Sequence, residues 1–371
     1  MTAIPGPIVH VSTPRSWRGG EQQLVYLAEA LRAAAVPQLV VCPPGSEVER
    51  ACRERGLPVL PLRRRASVDP LFARALARAA NAAGAALVHA HDPHGHTAAA
   101  LGASLFGLRA PIVVHRRVDF AIGRGRFSRW KYDHPAVRRI VCVSRAIAEI
   151  VRPALRDPAR LRVVHDGVDP ARWAGARPDG RLRREYGVPA GVPLVGNVAA
   201  LAGHKDHFTF VDTAARLLAD GVDARFVAIG DGPLRAELAA YVRGKGLEGR
   251  VVLAGFREDL TTILPELDLF LFTSKEEGLG SSILDAYLCR VPVVATAAGG
   301  VPEIVQDGET GLLAPIRDPA ALAERVRRVL GDPALRTRLV EGAARRVAEL
   351  GADRMAERTL AIYREVAAEV P

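Results

Sequence analysis

The sequence is short of lysine, cysteine, aromatic residues and long apolar runs. Of its 51 Lys+Arg, four are lysines (Lys131, Lys205, Lys245 and Lys275), so the positive charge is almost entirely arginine. An Arg- and Ala-rich composition follows codon bias, so arginine number alone is weak evidence for phosphate binding. The four cysteines, Cys42, Cys52, Cys142 and Cys289, are scattered and form no C-x-x-C pair. That fits reduced thiols in a cytoplasmic protein better than a disulfide or zinc framework. No run approaches the roughly 18 apolar residues of a membrane span, and residues 1–11 lack the basic start and long apolar core of a signal peptide. The expected protein is soluble. There is no D-x-D, and no G-x-G-x-x-G sits at the paired glycines Gly19 and Gly20 to mark a dinucleotide site there.

What is present is an ordinary folded composition: 371 residues, 49% hydrophobic and 25% charged. Disorder, a collagen-like chain and a disulfide miniprotein are excluded. The length suits two domains, each able to bury its own core. A net charge of +10 points to nucleic acid, an anionic membrane face or a phosphorylated substrate as partner. The charge is uneven, however. Residues 1–190 hold 30 Lys+Arg against 15 Asp+Glu, whereas residues 191–371 hold 21 against 26.

Short β-branched runs alternate with helix-period stretches from end to end. Strands are predicted at 8–11, 38–42, 87–90, 112–115, 139–143 and 161–165, with helices at 21–35, 70–83, 95–105 and 145–154. A Gly-, Pro- and Arg-rich stretch at 167–189 reads as a linker. The pattern restarts with strands at 194–198, 225–229, 250–253, 267–272, 293–295 and 311–313, and helices at 207–220, 233–245, 281–289, 320–330 and 333–348. Repeated β-then-α units with buried strands imply doubly wound parallel sheets. The expected organisation is an α/β protein of two Rossmann-like domains, residues 1–180 and 190–350, facing across a cleft. A last helix, about 352–371, is free to pack back on the first domain.

Three segments carry chemistry. In S-K-E-E-G-L-G-S-S-I-L-D (274–285) a buried strand ends in a glycine-containing loop and a helix begins near Ser281. Backbone N–H groups at such a start, with Gly278 and Gly280 permitting close approach, suit a phosphate. Glu277 and Asp285 are spaced to accept hydrogen bonds from ligand hydroxyls in one cleft; the bland alternative is two solvated charges. In the second segment (196–206), Lys205 follows Gly203 in a loop entering a helix, where its ammonium neutralises a diphosphate as a point charge. Alternatively Asp206 is a plain N-cap and Lys205 its solvated neighbour. The third, Arg18-Gly19-Gly20-Glu21, has paired glycines opening a helix, which is weak alone.

The second half resembles the retaining GT-B glycosyltransferases of the large family-four group, also called glycosyl transferases group 1. The resemblance rests on E-G-L-G at 277–280 with a second acid at Asp285, P-V-V-A-T from Pro292, G-G-V-P-E-I-V at 299–305 and D-G-x-x-G-L-L from Asp307. The first half matches more loosely, through Gly19-Gly20, the strand ending in His89-Ala-His91-Asp-Pro, Cys142-Val-Ser144 and V-H-D-G-V-D at 164–169.

The resemblance implies transfer of a sugar from a nucleotide-diphosphate donor to a hydroxyl acceptor, with retention at the anomeric carbon. It gives the donor-sugar hydroxyls to Glu277 and the ribose to Asp285, where the family has Glu. It gives the diphosphate to Lys205, with Asn197 where Arg is commoner. Gly19 and Gly20 match a loop on the diphosphate, Gly278, Leu279, Gly280 and Ser281 belong to the donor loop, and His91 matches a histidine that meets the transferred sugar. Charge developing on the β-phosphate is met by Lys205 and helix amides. No metal or other cofactor is expected, and no covalent enzyme nucleophile. The acceptor is expected to be a lipid-linked, cell-envelope or polysaccharide glycan.

Two rivals come from other motifs. His89, His91, Asp92, His94 and His96 crowd a short run and resemble a metallohydrolase motif with its Asp displaced. Arg116, Arg117, Arg124, Arg126, Arg129 and Lys131, interleaved with Phe120, Phe127, Trp130 and Tyr132, would suit a nucleic-acid groove. The same mixture suits an acidic acceptor or an anionic membrane surface, and that reading is preferred, with the protein peripheral on the inner face and no nucleic acid bound.

Overall fold

The computed structural model describes residues 4–123 and 125–369. The chain forms two units: Met1–Gly167 together with Ala352–Pro371, and Val168–Gly351.

The first unit is built on seven parallel strands: β1 (Ile8–Val11), β2 (Gln38–Cys42), β3 (Val59–Pro61), β4 (Leu87–Ala90), β5 (Ile112–Arg116), β6 (Val137–Cys142) and β7 (Leu161–Val163). Their order is β3-β2-β1-β4-β5-β6-β7. The second unit has six: β8 (Leu194–Val198), β9 (Arg225–Ile229), β10 (Val251–Gly255), β11 (Leu269–Phe272), β12 (Val293–Thr296) and β13 (Leu312–Ala314). Their order is β10-β9-β8-β11-β12-β13. Each sheet therefore reverses direction between its first strand and its fourth, and ligands of such folds bind beyond the carboxyl ends at that point.

Helix starts are written in the sequence as Asp-Pro. Asp69, Asp92, Asp169, Asp318 and Asp332 each precede a proline, and each carboxylate accepts a backbone N–H of the first turn. Proline at the first helical position loses no hydrogen bond, and the cap contributes about 1 kcal/mol.

The expected boundaries at 180 and 190 are corrected. The chain leaves the first unit after Gly167, and the stretch read as a linker is folded into the second. It contains helices Pro170–Trp173 and Arg181–Glu185. Glu266 accepts the N–H groups of Leu182 (3.1 Å) and Arg183 (3.0 Å), and the Arg183 guanidinium meets Asp268 at 2.5 Å. Glycine and proline punctuate this stretch, but long-range ion pairs hold it.

The terminal helix, Ala352–Ala368, belongs to the first unit. Met355, Ile362, Tyr363 and Val366 share a core with Ile8, Leu27, Leu31, Leu87 and Val113. Short elements that went unpredicted include β3, helix Glu47–Glu54 and helix Arg126–Asp133. Their strongly charged or three-residue sequences carry too little apolar periodicity to register.

Candidate active site

In the second unit, β11 delivers the chain into residues 273–280 and helix Ser281–Leu288. Gly280 has φ of 94°, left-handed backbone that favours glycine, and no side chain caps the helix start. The loop is fixed from behind. Gly300 N–H donates to the Glu277 carbonyl at 3.1 Å, and a Cβ on Gly299 would stand 2.0 Å from that oxygen. Gly278 and Leu279 are buried beneath it.

Lys205 ends a short 3₁₀ turn, Gly203–Lys205, whose His204 carbonyl accepts the Lys275 N–H at 3.0 Å. This brings Lys205 Nζ to 2.5 Å from Glu277 Oε2, which also accepts from Ser274 Oγ at 3.1 Å. Both side chains are largely buried, 18% and 12% exposed. Two of the three Lys205 N–H donors and Glu277 Oε1 make no other hydrogen bond among the described residues.

Asp285 lies one turn into the same helix. Burial pushes its carboxyl up to about 6, opposed by the nearby charge of Arg172. Arg172 and Trp173 come from the stretch taken for a linker, so this neighbour was invisible in the sequence. Asn197 is not on the surface of the site. It is 1% exposed and its Nδ2 donates to the Leu271 carbonyl at 2.6 Å, tying β8 to β11.

In the first unit, Gly19 and Gly20 form the first turn of helix Gly19–Ala33 instead of a loop before it. The histidine run does not converge. His89 lies in β4, His91 follows it, and the helix Pro93–Leu105 carries His94 and His96, neither of which joins the set of histidines able to share a metal ion. His96 Nε2 faces the Lys131 carbonyl at 2.8 Å, and its ring packs edge-on against Tyr132. Asp92, the motif's acid, is occupied by Thr13 N–H (2.8 Å), Thr13 Oγ1 (2.7 Å) and the N–H groups of His94 and Gly95.

The cluster that forms instead includes residues the sequence reading passed over. His10 pairs in register with His89 on the neighbouring strand. His10 Nδ1 lies 3.0 Å from His91 Nε2, His89 Nδ1 lies 2.6 Å from the Tyr363 hydroxyl, and His115 stacks on His89. A histidine inside an otherwise apolar strand, I-V-H-V, was the available signal. His10, His89 and His91 offer nitrogens within 4.8 Å of one another, the one such set among the described residues. One nitrogen of each ring is engaged, His10 with His91 and His89 with Tyr363, whereas His10 Nε2, His89 Nε2 and His91 Nδ1 have no hydrogen-bond partner. Burial first, then neighbouring imidazoles and Arg117, keep His89 and His91 well below the usual histidine range. That is the chemistry of a neutral hydrogen-bonded network beside a cation.

The basic segment splits in two. Arg116 and Arg117 are drawn inside, with Arg116 only 4% exposed, so neither forms part of an outer charged face. Arg126 and Arg129 are exposed and line an open groove of about 650 Å³ with Trp130, His134 and Arg156. Lys131 is half-buried against Pro93 and Thr97. Arg124 lies outside the described residues.

A family described as Glycosyl transferases group 1 matches residues 192–332, and one described as Glycosyltransferase Family 4 matches residues 17–172. The alpha-maltose-1-phosphate synthase of Mycolicibacterium smegmatis is 31% identical over 314 residues, 78% of this chain and 81% of that protein. The chain belongs to the group 1 glycosyltransferases.

Within this family, the 2-deoxystreptamine glucosyltransferase of Streptomyces kanamyceticus is 38% identical over 178 residues, 47% of this chain and 46% of that protein. The chain thus spans about half the length of that curated relative, and of others at 48% and 55%. Anabaena Alr3699/HepE, solved with UDP and glucose, shares the fold with a TM-score of 0.84 at 20% identity, over 97% of this chain and 100% of that one. The GT-B fold and group 1 membership therefore stand.

Proposed function

We propose that the chain transfers a sugar from a nucleotide-diphosphate donor to a hydroxyl acceptor, retaining the anomeric configuration. The Lys205–Glu277 pair at the uncapped start of helix Ser281–Leu288 carries this reading. Departure of a nucleoside diphosphate places charge on its β-phosphate. The free donors of Lys205 and the helix N–H groups stabilise that charge without reorganising. Glu277 Oε1 accepts from the hydroxyls of the transferred sugar, and Asp285 from the ribose. The attacking hydroxyl approaches the face the leaving group vacates, its proton passing to the departing phosphate oxygen. Curated relatives named as glucosyltransferases, and a fold neighbour solved with UDP and glucose, support the donor class.

The reading involves no metal, since Lys205 and the helix start supply the positive charge; turnover after chelation tests that. The acceptor is a glycan or a lipid-linked hydroxyl compound. One curated relative is named as a lipopolysaccharide core glycosyltransferase, of Rhizobium meliloti. No helix among the described residues is long and apolar enough to cross a membrane. Exposed Phe120, Phe127, Arg126 and Arg129 support peripheral contact with an anionic inner membrane face. Flotation with anionic vesicles, beside a nucleic-acid shift assay, tests that part; binding to nucleic acid alone would overturn it.

The deciding experiment is a thermal-shift panel of nucleoside diphosphates and sugar nucleotides, followed by turnover with the best donor and NMR of the product anomer. A ligand that binds only the folded state raises its melting temperature. No stabilisation by any donor would refute the function, and an inverted product would refute retention.

A further inference from the structure

We propose that a pocket in the first unit, beyond the carboxyl ends of β4 and β5, binds an oxyanion, a phosphate or carboxylate carried by the acceptor. This rests on the reading of the chain as a glycosyltransferase and adds the chemistry its acceptor must have.

The pocket is about 180 Å³, and its walls include Gly20, His91, His96, His115, Arg116 and Arg117. Liquid water takes about 30 Å³ per molecule, so the space suits a group of several heavy atoms. Five nitrogens of its lining residues are sealed from solvent and lack any partner: His91 Nδ1, His96 Nδ1, His115 Nε2, Arg116 Nε and Arg117 Nη1. His96 Nε2 donates to the Lys131 carbonyl, which leaves Nδ1 of its neutral ring an acceptor, whereas His115 Nε2, Arg116 Nε and Arg117 Nη1 are donors. Buried polar atoms are paired in the great majority of cases, so unpaired donors on three neighbouring lining residues point to a ligand.

Their chemistry specifies its kind. Arg116 is 4% exposed. Its Nη1 donates to the Tyr132 hydroxyl at 2.9 Å, its Nη2 to the Phe120 carbonyl, and its guanidinium lies 4.8 Å from the Phe120 ring. Among the described residues no carboxylate forms an ion pair with it. Arg117 shares Asp166 at 3.2 Å and keeps Nη1 free.

Two acids, Glu21 and Asp92, also line the pocket, but neither forms an ion pair with Arg116. Asp92 is taken by Thr13, His94 and Gly95, and burial raises the Glu21 carboxyl above its usual range. A buried cation with no counter-ion is costly. An oxyanion brings the missing charge, offers only acceptors, and matches the fork of a guanidinium. A neutral sugar brings no charge, and a metal ion would add to the positive charge.

The test uses the full chain, thermal melting and inorganic phosphate titrated at constant ionic strength. Arg116→Gln removes the charge, Arg116→Lys keeps it without the fork, and Arg74→Gln removes an exposed cation elsewhere in the same unit. Phosphate is expected to raise the melting temperature of the wild type and Arg74→Gln, less so Arg116→Lys, and not Arg116→Gln. UDP is expected to stabilise all four.

A hexose 1-phosphate, a hydroxy-dicarboxylate and a neutral hexose then form separate arms. The anion saturating at the lower concentration identifies phosphate or carboxylate as the source. An equal phosphate shift in Arg116→Gln, or an equal response to the neutral hexose, overturns the proposal. So does abolition of the phosphate shift by UDP, which would give the pocket to the donor. Loss of the shift with every nucleoside diphosphate of the panel, UDP included, would instead sink the glycosyltransferase reading while the phosphate result still stood. If Arg116→Gln does not fold, Arg116→Lys decides: an undiminished phosphate shift there overturns the proposal.

Discussion

Lys205 Nζ stands 2.5 Å from Glu277 Oε2, joining two loops 72 positions apart in the chain. Lysine is scarce here, and one of the four lysines meets the first acid of the E-G-L-G loop.

Lys205→Ala and Glu277→Ala are each expected to lower turnover by at least about tenfold, with unchanged circular dichroism. Because each partner is left as a largely buried charge, each variant also melts below the wild type, and the double variant loses less than the sum. Wild-type rates in both single variants would remove these residues from the site.

Asp285 gives a pH signature. Its folded pKa of about 6 lies above the ordinary aspartate value of 3.8. Between those values the folded state holds a proton that the unfolded chain has released. This group's contribution to stability is therefore greatest in acid and is lost as pH rises toward 6. Asp285→Asn is expected to flatten that slope in urea denaturation at successive pH values. Affinity for whichever nucleoside diphosphate stabilises the protein best should fall below pH 6, where the carboxyl becomes protonated. A slope unchanged in Asp285→Asn would place the titration elsewhere.

The Tyr363 hydroxyl, fully buried, lies 2.6 Å from His89 Nδ1 and seats the terminal helix on the first sheet. Tyr363→Phe leaves that nitrogen unpaired and is expected to cost about 1–3 kcal/mol in chemical denaturation. A change within error would show that the ring's packing alone holds the helix.

Gly20 separates folding from function. A Cβ there meets only Arg117 Cδ at 3.7 Å, ordinary contact, inside a helix turn. Gly20→Ala is expected to melt at or slightly above the wild type while turnover falls, because the added methyl enters the pocket it lines. Full activity would free this glycine of any ligand role. Gly299→Ala should behave oppositely: φ of 49° and the 2.0 Å approach to the Glu277 carbonyl make it lose stability and activity together.

Much of this protein was legible in its sequence, because local patterns were strong. Apolar runs fully buried in parallel sheets, Asp-Pro helix starts and the E-G-L-G loop each depend on neighbours within a few residues. They determined the two Rossmann-like units and the family. The charge asymmetry between halves was also a property of sequence alone.

Tertiary structure decided which side chains meet. Lys205 finds Glu277, His10 finds His89 and His91, and Arg172 approaches Asp285 through strand order and loop closure across many residues, which no local period encodes. It also decided that the basic segment holds two kinds of arginine. Arg126 and Arg129 remain in solvent, whereas Arg116, on the last residue of β5, is carried inside by the strand that bears it. Charge can be counted along a chain, but burial depends on what packs around it.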